Sequence, residues 1–544
     1  MSSRSTLVAA ITLGAVAMLS LSAIASAVDL DAARRPSDLP ALPAQGEGRL
    51  TWPPAATAGT PPQPRRVPGT ASVDCYQWPD GTWTQTGQRT SPACQATWDF
   101  AAGNGGATST GVDGGTIKIG VAKIDPVAQA LTDAVNQHYQ LYGRALQLVE
   151  LGPANTPVAQ AAFVANARAQ GVFAATPTAV GYPTPVANPD ALVSQLATAE
   201  IIGVLTEPVH RADTLTSLGP YPWSTREPLD RSQRWMGELV CEMLAHHPAE
   251  FSTQTEDQPR KFGILAPSAT ALAGVEYSTD TLSTYLDGCG IAAKRYEFTT
   301  LAASPQADPR DEATYAQMRA DGITTVLYFT VAPSTLSRAQ AQFGSYRPEI
   351  ITAGTRPAGS WLLPPPKGTR QGIISITDQS PAKLPELTWG AQVVRDRDLD
   401  DQDRYNALNY ADEFADAIGL IAAGIQGAGP DLTPESFRAG LETSYFPNPG
   451  AGQRPDFQAH VGLQVGDHVA VRDVAVGIWN YDTRDPVRAA QGSELPGHLC
   501  LVGGGTRFDA DTPLPRQSAV LRELQTGQCP GTAVPSANND QGEG

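Results

Sequence analysis

Polar and charged side chains follow the predicted strands of this chain, at the positions where parallel sheets bind small molecules. Lys123 and Asp125, for example, come directly after the strand-like stretch TIKIGV, residues 116–121. Open parallel sheets bind ligands beyond the carboxyl ends of their strands, and hydroxyl groups with a few charges there describe a polar pocket. The predicted ligand-binding residues are Lys123, Asp125, Thr176, Thr178, Thr206, Glu207, His210 and Arg211 in the first half, and Ser268, Thr270, Tyr328, Thr330, Thr355 and Arg356 in the second.

The turn at residues 123–126 is where many α/β proteins carry a glycine-rich phosphate loop. Such a loop needs glycines so that backbone N–H groups can approach a pyrophosphate, whereas the one glycine near this turn is Gly120, inside the strand. The sequence also lacks a Walker loop, a G-x-S-x-G elbow and an HExxH motif. Ser268 follows a strand as a nucleophile would, but no histidine stands at a motif spacing, which favours a hydroxyl lining a turn. We therefore predict no enzyme activity and no cofactor.

The acidic run RDRDLDDQDRY, residues 395–405, resembles a calcium-binding loop. An EF-hand loop would require glycine at position 401 and glutamate at position 407, and the sequence has Asp401 and Ala407. Carboxylates stabilise the N-terminus of a helix, so we interpret the run as the start of a helix that opens near Arg404. We predict no metal site.

Strand-like and helix-like stretches alternate from residue 116 onwards and position these side chains. Thr156-Pro157 and Asn188-Pro189 each combine a helix N-cap with a proline at the first helical position. A second run of the same kind begins with a predicted helix over 229–246 and includes another over 334–343. Alternation of this type predicts an α/β fold of two Rossmann-like lobes, with parallel sheets flanked by helices.

Charge and composition limit the partners of the protein. The chain has 544 residues, with 38 basic and 55 acidic side chains and a formal net charge of −17. Nucleic acids and anionic membranes bind basic surfaces, so we expect neither as a partner. We expect a monomer with a small-molecule ligand.

The two ends of the chain differ in composition from its centre. Residues 1–27 have a charged start, an apolar stretch and the small-residue site Ala25-Ser26-Ala27, which predicts a signal peptide, with an uncleaved anchor as the alternative. Both interpretations predict export to the periplasm, cell envelope or medium. No cysteine stands at the cleavage point, so no lipid anchor is expected. The other predicted segments are a Pro/Ala-rich linker at 28–70, a disulfide-stapled cap at 71–115 and an irregular extension at 486–544.

Six cysteines in an exported chain predict three disulfides. Sequence alone leaves fifteen pairings open. Pairing between cysteines that are close in the sequence is the simplest expectation, because each bond then lies inside one predicted segment. The expected pairs are Cys75 with Cys94, Cys241 with Cys289, and Cys500 with Cys529.

The order of elements resembles the type I periplasmic-binding-protein fold, in the leucine/isoleucine/valine-binding branch of ABC-importer receptors. The resemblance is carried by TIKIGVAKIDPVAQALTDAVNQHYQLYGRALQLVEL, ADGITTVLYFTVAPSTLSRAQAQFGSYRPEIITAG and YNALNYADEFADAIGLIAAGIQGAGPDLTPESFRAGLE. It covers about residues 116–485, as in an actinobacterial-type member with extensions at both termini. It implies two lobes joined by crossings near Pro220–Ser224, Ile374–Thr377 and Phe446–Gly450. Lobe one would hold 116–221 and 375–447, and lobe two would hold 222–374 and 448–485.

The resemblance also implies how a ligand would be held. In amino-acid-binding members, two lobe-one loops hold the ligand carboxylate and an acidic residue of lobe two holds the ammonium. The corresponding loops here are 175–179 and 206–211, while the lobe-two position reads Gly354-Thr355-Arg356 and offers no carboxylate. A branched-chain amino acid is therefore not the expected ligand, and Arg356 or Arg211 would suit an anion.

We expect an exported solute-binding protein that delivers an amino-acid-like or anionic molecule to an ABC permease. One alternative is a ligand-sensing or structural module of the cell envelope on the same fold, since a fold does not fix a function. A further alternative, disfavoured by the absent motifs, is an enzyme on this scaffold.

Overall fold

A computed structural model of the chain describes most of its centre and short pieces of its ends. The signal segment and most of the predicted linker lie outside the described residues, as does the predicted helix over 334–343. The described residues are 65–67, 75–77, 83–85, 94, 98, 103–180, 186, 188–206, 211–252, 255–268, 278–299, 309–329, 346–353, 372–378, 389–394, 397, 399–443, 463, 465–471, 473–480, 498–502, 507–509 and 524.

The first sheet is parallel throughout and has five strands in the order β5-β4-β6-β7-β8. Strands β6 and β7 are buried over their whole length because helices cover both faces of the sheet, whereas the edge strand β5 alternates between buried and exposed residues. Ile117, Ile119 and Val121 point into one core, and Ala175 and Leu205 into the other. The strands are β4 Thr116–Val121, β5 Ala145–Glu150, β6 Ala174–Thr176, β7 Ile202–Leu205 and β8 Pro222–Ser224.

Two helices of the first sheet begin where the sequence predicts, after Thr156 and Asn188. The side chains of Asp125, Thr156 and Asn188 accept backbone N–H groups as N-caps, each followed by proline. Two later helices pack closely, because Gly427 and Gly440 allow their backbones to meet. The helices are α1 Pro126–His138, α2 Pro157–Gln170, α3 Pro189–Thr198 and α4 Ala212–Ser217, followed later in the chain by α8 Trp389–Val394, α9 Asp401–Ala428 and α10 Pro434–Thr443.

The second sheet has eight strands, in the order β12-β11-β13-β14-β15-β16-β17, with β18 also paired to β16. Strands β11 to β15 are parallel, and β16 runs antiparallel to β15. The strands are β11 Phe262–Pro267, β12 Ala293–Phe298, β13 Thr325–Phe329, β14 Glu349–Ala353, β15 Ile373–Thr377, β16 Asp473–Asn480, β17 His498–Leu501 and β18 Arg507–Asp509.

Helices pack on the second sheet too. Helix α5, Leu229–Leu239, continues into a π turn at Val240–Leu244 and contacts β14 and β15. Helix α6, Asp280–Gly288, lies against α5, and α7, Pro309–Ala320, covers the other face. The predicted α/β class is confirmed: two mainly parallel sheets, each flanked by helices.

Within the described residues, the chain passes between the two sheets at three places. The first follows Ser224, since β8 pairs within the first sheet, and the second follows β15, which pairs within the second sheet. Before the third, the N–H of Ser224 donates to His468 O and the N–H of Ala470 donates to Ser224 O. Residues 468–470 therefore extend the first sheet, and the chain enters β16 only at Asp473. The predicted third crossing, near 446–450, lies outside the described residues.

The N-terminal pieces form a small antiparallel sheet of three strands. Its first strand falls in the predicted linker and is ordered by pairing with the second. Beyond it, Trp98 packs edge-on against Tyr142 with ring centroids 5.1 Å apart. The strands of this sheet are β1 Arg65–Val67, β2 Cys75–Gln77 and β3 Trp83–Thr84.

A separate two-stranded sheet lies later in the chain. It pairs β9 Pro248–Ala249 with β10 Gln258–Pro259 in antiparallel orientation.

The expected bond between Cys241 and Cys289 is confirmed, and it links the end of α5 to the end of α6. Cys94 and Cys500 are also disulfide-bonded, but their partners lie outside the described side chains. No helix within the described ranges is long and apolar enough to cross a membrane.

Candidate functional site

Three threonine hydroxyl groups meet at the carboxyl edge of the first sheet. Thr176 ends β6 and Thr206 follows β7, the next strand across the sheet, so their side chains emerge side by side. Thr178 Oγ1 lies 3.0 Å from Thr176 Oγ1 and 2.7 Å from Thr206 Oγ1, and all three residues are buried. The strand-end prediction thus placed these three residues together.

In this hydroxyl cluster, residues 176, 178 and 206, one hydroxyl proton takes no part in a hydrogen bond within the cluster. Each hydroxyl group carries one proton, and the two bonds within the cluster use two of the three. The proton that remains belongs to Thr178 or to Thr206, according to which of them donates to the other. The cluster can therefore donate to an acceptor such as a carboxylate oxygen.

The first connection between the sheets is fixed directly beside this cluster. The N–H of Thr225 donates to Leu205 O at 2.9 Å, and the Thr225 hydroxyl donates to the same oxygen at 3.3 Å. Leu205 immediately precedes Thr206, so the connection adjoins the hydroxyl cluster. Ser224 Oγ accepts the N–H of Arg226 at 3.0 Å and holds the turn.

Charged residues surround this first connection between the sheets. The sequence analysis did not name them as candidate site residues. The Glu227 N–H donates to Asp378 Oδ2 at 3.0 Å, and Arg231 Nη2 donates to Asp467 Oδ1 at 2.8 Å. Arg226 lies 3.7 Å from Asp416 of α9. The sequence contains a signal for them, the charged pair Arg226-Glu227, which stands one residue after the end of the buried strand β8.

The Glu227 carboxyl group is buried among these charges. Only 2% of the residue is exposed, and neither carboxyl oxygen has a hydrogen-bond partner within the described part of the chain. The pKa of Glu227 is raised to about 8: burial is the main cause, Asp378 and Asp467 act in the same direction, and Arg231 opposes them.

Asp125, predicted to contact ligand, also has a local structural role. Its Oδ1 accepts the N–H of Ala128 at 2.8 Å and caps α1. Burial raises the pKa of Asp125, and the nearby Asp403 of α9 adds to this. Lys123 is exposed two residues earlier. The acidic run at 395–405 was interpreted as the start of a helix. Asp400, within this run, is the N-cap of α9, as expected.

Arg211 makes its side-chain bonds to a neighbour on its own helix. Its Nε and Nη2 donate to the two carboxylate oxygens of Asp213, each at 3.0 Å. Its N–H donates to Asp190 Oδ1 at 3.2 Å, and burial raises the pKa of Asp190 to about 6. The pair uses two of the five N–H donors of the guanidinium, so a contact with an anionic ligand stays a prediction.

The second half of the predicted site is described only in part. Ser268 is buried after β11, and its N–H donates to Phe298 O at 2.8 Å. Tyr328 is fully buried in the core of the second sheet and packs against Phe298. No group of side chains suited to hold a metal ion occurs in the described part of the chain. The remaining predicted residues lie outside it: Glu207, His210, Thr270, Thr330, Thr355 and Arg356.

Comparison with known proteins finds similarity only among solved structures. No family model matches the chain, and neither does any curated protein sequence. One similar structure is a solute-binding protein of an ABC transporter from Rhodopseudomonas palustris HaA2 in complex with p-hydroxybenzoic acid. It has 13% identity and a TM-score of 0.48, and the alignment covers 74% of this chain and 100% of that one.

Two further structures are similar at the same level. The leucine-, isoleucine-, valine-, threonine- and alanine-binding protein from Brucella ovis has 13% identity and a TM-score of 0.46, covering 74% of this chain and 98% of that one. A periplasmic binding protein from Burkholderia mallei has 11% identity and a TM-score of 0.48, and the alignment covers 75% of this chain and 99% of that one. The similarity of these structures to this chain concerns the fold alone.

Proposed function

We propose that the protein binds a small polar molecule, amino-acid-like or anionic, at the carboxyl edge of the first sheet and releases it unchanged. The observation that carries this proposal is the buried hydroxyl cluster, which has a proton left to donate and adjoins a connection between the sheets. Carboxyl ends of parallel strands are the usual binding edge of open α/β sheets. A few converging polar groups in a buried setting suit recognition of one molecule.

The first connection between the sheets supports a hinged mechanism. Residues 225–228 are a short piece of backbone between β8 and α5, the kind of segment that absorbs a domain rotation. A ligand that touches groups on both sheets would favour the closed arrangement, because it binds that arrangement more tightly. Binding energy would then shift a population instead of breaking a bond.

Export and delivery to an ABC permease complete the proposal. The signal-like N-terminus supports export, and a closed two-lobed shape is a surface that a permease could distinguish from the open one. The predicted residues that lie outside the described part, together with Ser268 and Lys123, stay candidates for further contacts with the ligand.

A screen of thermal stability tests the binding step. We expect that carboxylates or amino acids, with p-hydroxybenzoate and L-leucine among the probes, raise the melting temperature Tm of the wild-type protein. Thr178→Val keeps the side-chain shape but removes the central hydroxyl, so the gain in Tm should fall at least by half at the same ligand concentration. Thr198→Val, on the exposed surface of α3, is the matched control and should respond as wild type does.

Small-angle X-ray scattering on the same samples tests the hinge. The radius of gyration should fall when a stabilising ligand is added, and it should stay constant with compounds that leave Tm unchanged. A stabilising ligand that leaves the radius of gyration unchanged would contradict closure and would leave binding itself intact.

A further inference from the structure

Residues of all three connections between the sheets lie around one buried carboxyl group, that of Glu227. Glu227 stands on the first connection, and its N–H is bonded to Asp378, directly after β15 on the second. Asp467, on the approach to the third connection, acts on the Glu227 carboxyl group through its charge and is paired with Arg231 at 2.8 Å. A charge on Glu227 therefore acts on every one of these connections.

The Glu227 carboxyl group suits its surroundings only while it is neutral. Its two oxygens are enclosed and accept no hydrogen bond from the residues that the structure describes. A buried carboxylate without such bonds is much more costly than a neutral carboxyl group, and the carboxylates of Asp378 and Asp467 would repel it as well. Ionisation should therefore favour an arrangement of the sheets in which water reaches this group.

The charged groups around the first connection do not cancel the charge of an ionised Glu227. Arg231 attracts that charge, but its guanidinium is already bonded to Asp467. Acidic groups outnumber basic ones around this part of the backbone, so ionisation adds one more negative charge to an acidic setting. The groups that face Glu227 or the adjacent Arg226 are Arg231 and Arg234 from α5, Asp378 after β15, Asp467 before β16, and Asp412, Glu413 and Asp416 from α9.

We propose that Glu227 is a pH-sensitive latch of the hinge: while its carboxyl group is neutral, the sheets keep the arrangement described here, and once it is ionised they rotate about the connections until the carboxylate is hydrated. This device concerns the hinge and not the ligand, so it goes beyond the proposed function. A ligand that favours the present arrangement should bind more weakly as the pH rises, because loss of the proton shifts the population away from that arrangement.

The pH range of the latch follows from the two environments of the acid. Mainly because of burial, the pKa of Glu227 is about 8 in the present arrangement, against an ordinary value of 4.5 for a hydrated glutamate. Between these values the hydrated arrangement binds fewer protons, so a rise in pH favours it. Each pH unit in this range should change the ratio of the two arrangements by up to about tenfold, with no further change well above pH 8.

Distances between spin labels on the two sheets test the latch in the ligand-free full chain. Thr198→Cys on α3 and Thr284→Cys on α6 carry the labels at exposed positions, and no cysteine of the described part is free to compete for them. Pulsed electron paramagnetic resonance records the distance distribution between pH 5 and pH 9. We expect a second distance that gains population from pH 5 to pH 8, and Glu227→Gln with the same labels should keep the pH 5 distribution throughout.

Two further variants separate the latch from other effects of pH. Glu242→Gln removes an exposed carboxylate of the π turn and should respond as wild type does. Asp378→Asn keeps an oxygen for the Glu227 N–H and removes one repelling charge, so its response should be smaller than that of wild type, which provides a test if Glu227→Gln fails to fold.

Three results would overturn the latch. The first is a wild-type distribution that stays constant between pH 5 and pH 9, and the second is a response of Glu227→Gln equal to that of wild type. The third is a response of Asp378→Asn as large as that of wild type. No ligand is present in these measurements, so each of these results leaves the proposed binding function as it stands.

Discussion

The N–H of Glu227 donates to the carboxylate of Asp378 at 3.0 Å, across 151 residues of sequence. Glu227 stands on the first connection between the sheets, and Asp378 stands directly after β15, on the second. The bond therefore couples two of the three connections. A rotation of one sheet against the other must carry both residues together or break this bond.

Removal of one hydroxyl group from the cluster should cost stability. Thr206→Val leaves Thr178 without its closest partner, and a buried group left unpaired costs about 1–3 kcal/mol. Urea unfolding should show this loss in the free energy of unfolding, with Thr198→Val close to wild type. A loss below a few tenths of a kcal/mol would mean that the hydroxyl groups are hydrated and not buried.

Glu227 should make the stability depend on pH. Its pKa is about 8 in the folded protein and 4.5 as the ordinary value, so the folded state binds more protons between these values. Stability from this group is fully present below pH 4.5 and is lost as pH rises through 8, by roughly 1.4 kcal/mol per pH unit at most. Tm should therefore fall less steeply with rising pH in Glu227→Gln. Parallel curves for the two proteins would contradict the shifted pKa.

His468 should make the protein less stable as the pH falls, which is the opposite of the pH effect expected for Glu227. Its ring stacks on Trp223 with centroids 4.3 Å apart, and its Nδ1 lies 2.8 Å from Pro222 O, which requires a proton on Nδ1. Burial lowers its pKa below 6.5, so its contribution is fully present above pH 6.5 and is lost as pH falls through the lower value. Between pH 7.5 and 5, Tm should fall further in wild type than in His468→Gln. An equal fall would show that His468 titrates normally.

Arg144 should join the N-terminal segment to the first sheet. Its guanidinium donates to the backbone oxygens of Asp113 at 2.8 Å, Pro430 at 2.9 Å and Gly106 at 3.1 Å, and also to that of Asn104. Arg144→Met leaves these oxygens without their donor and should lower the free energy of unfolding by ~3 kcal/mol. Arg168→Met, an exposed arginine of α2, is the control. Equal stability of the two variants would contradict this role.

The sequence predicted the parts of the site that depend on local rules. Proline after a capping side chain located the starts of α2 and α3, and the strand-end rule brought Thr176, Thr178 and Thr206 together. These features follow from the preferences of a few adjacent residues and from the geometry of parallel strands.

Contacts between residues that are far apart in the sequence could not be predicted from it. The place of β8 in the first sheet depends on its pairing with β7. Glu227 and Asp378 meet only because two connections pass side by side. The pairing of Arg211 with Asp213, two residues away, depends on the backbone at the start of α4.

Native mass spectrometry of protein purified without denaturation tests the central claim most directly. The account predicts that wild type carries the added mass of one small molecule, which denaturation removes, and that Thr178→Val purified in the same way carries much less of it. Wild-type protein that shows the polypeptide mass alone, and whose Tm responds to no amino acid or carboxylate in the screen, would contradict the account.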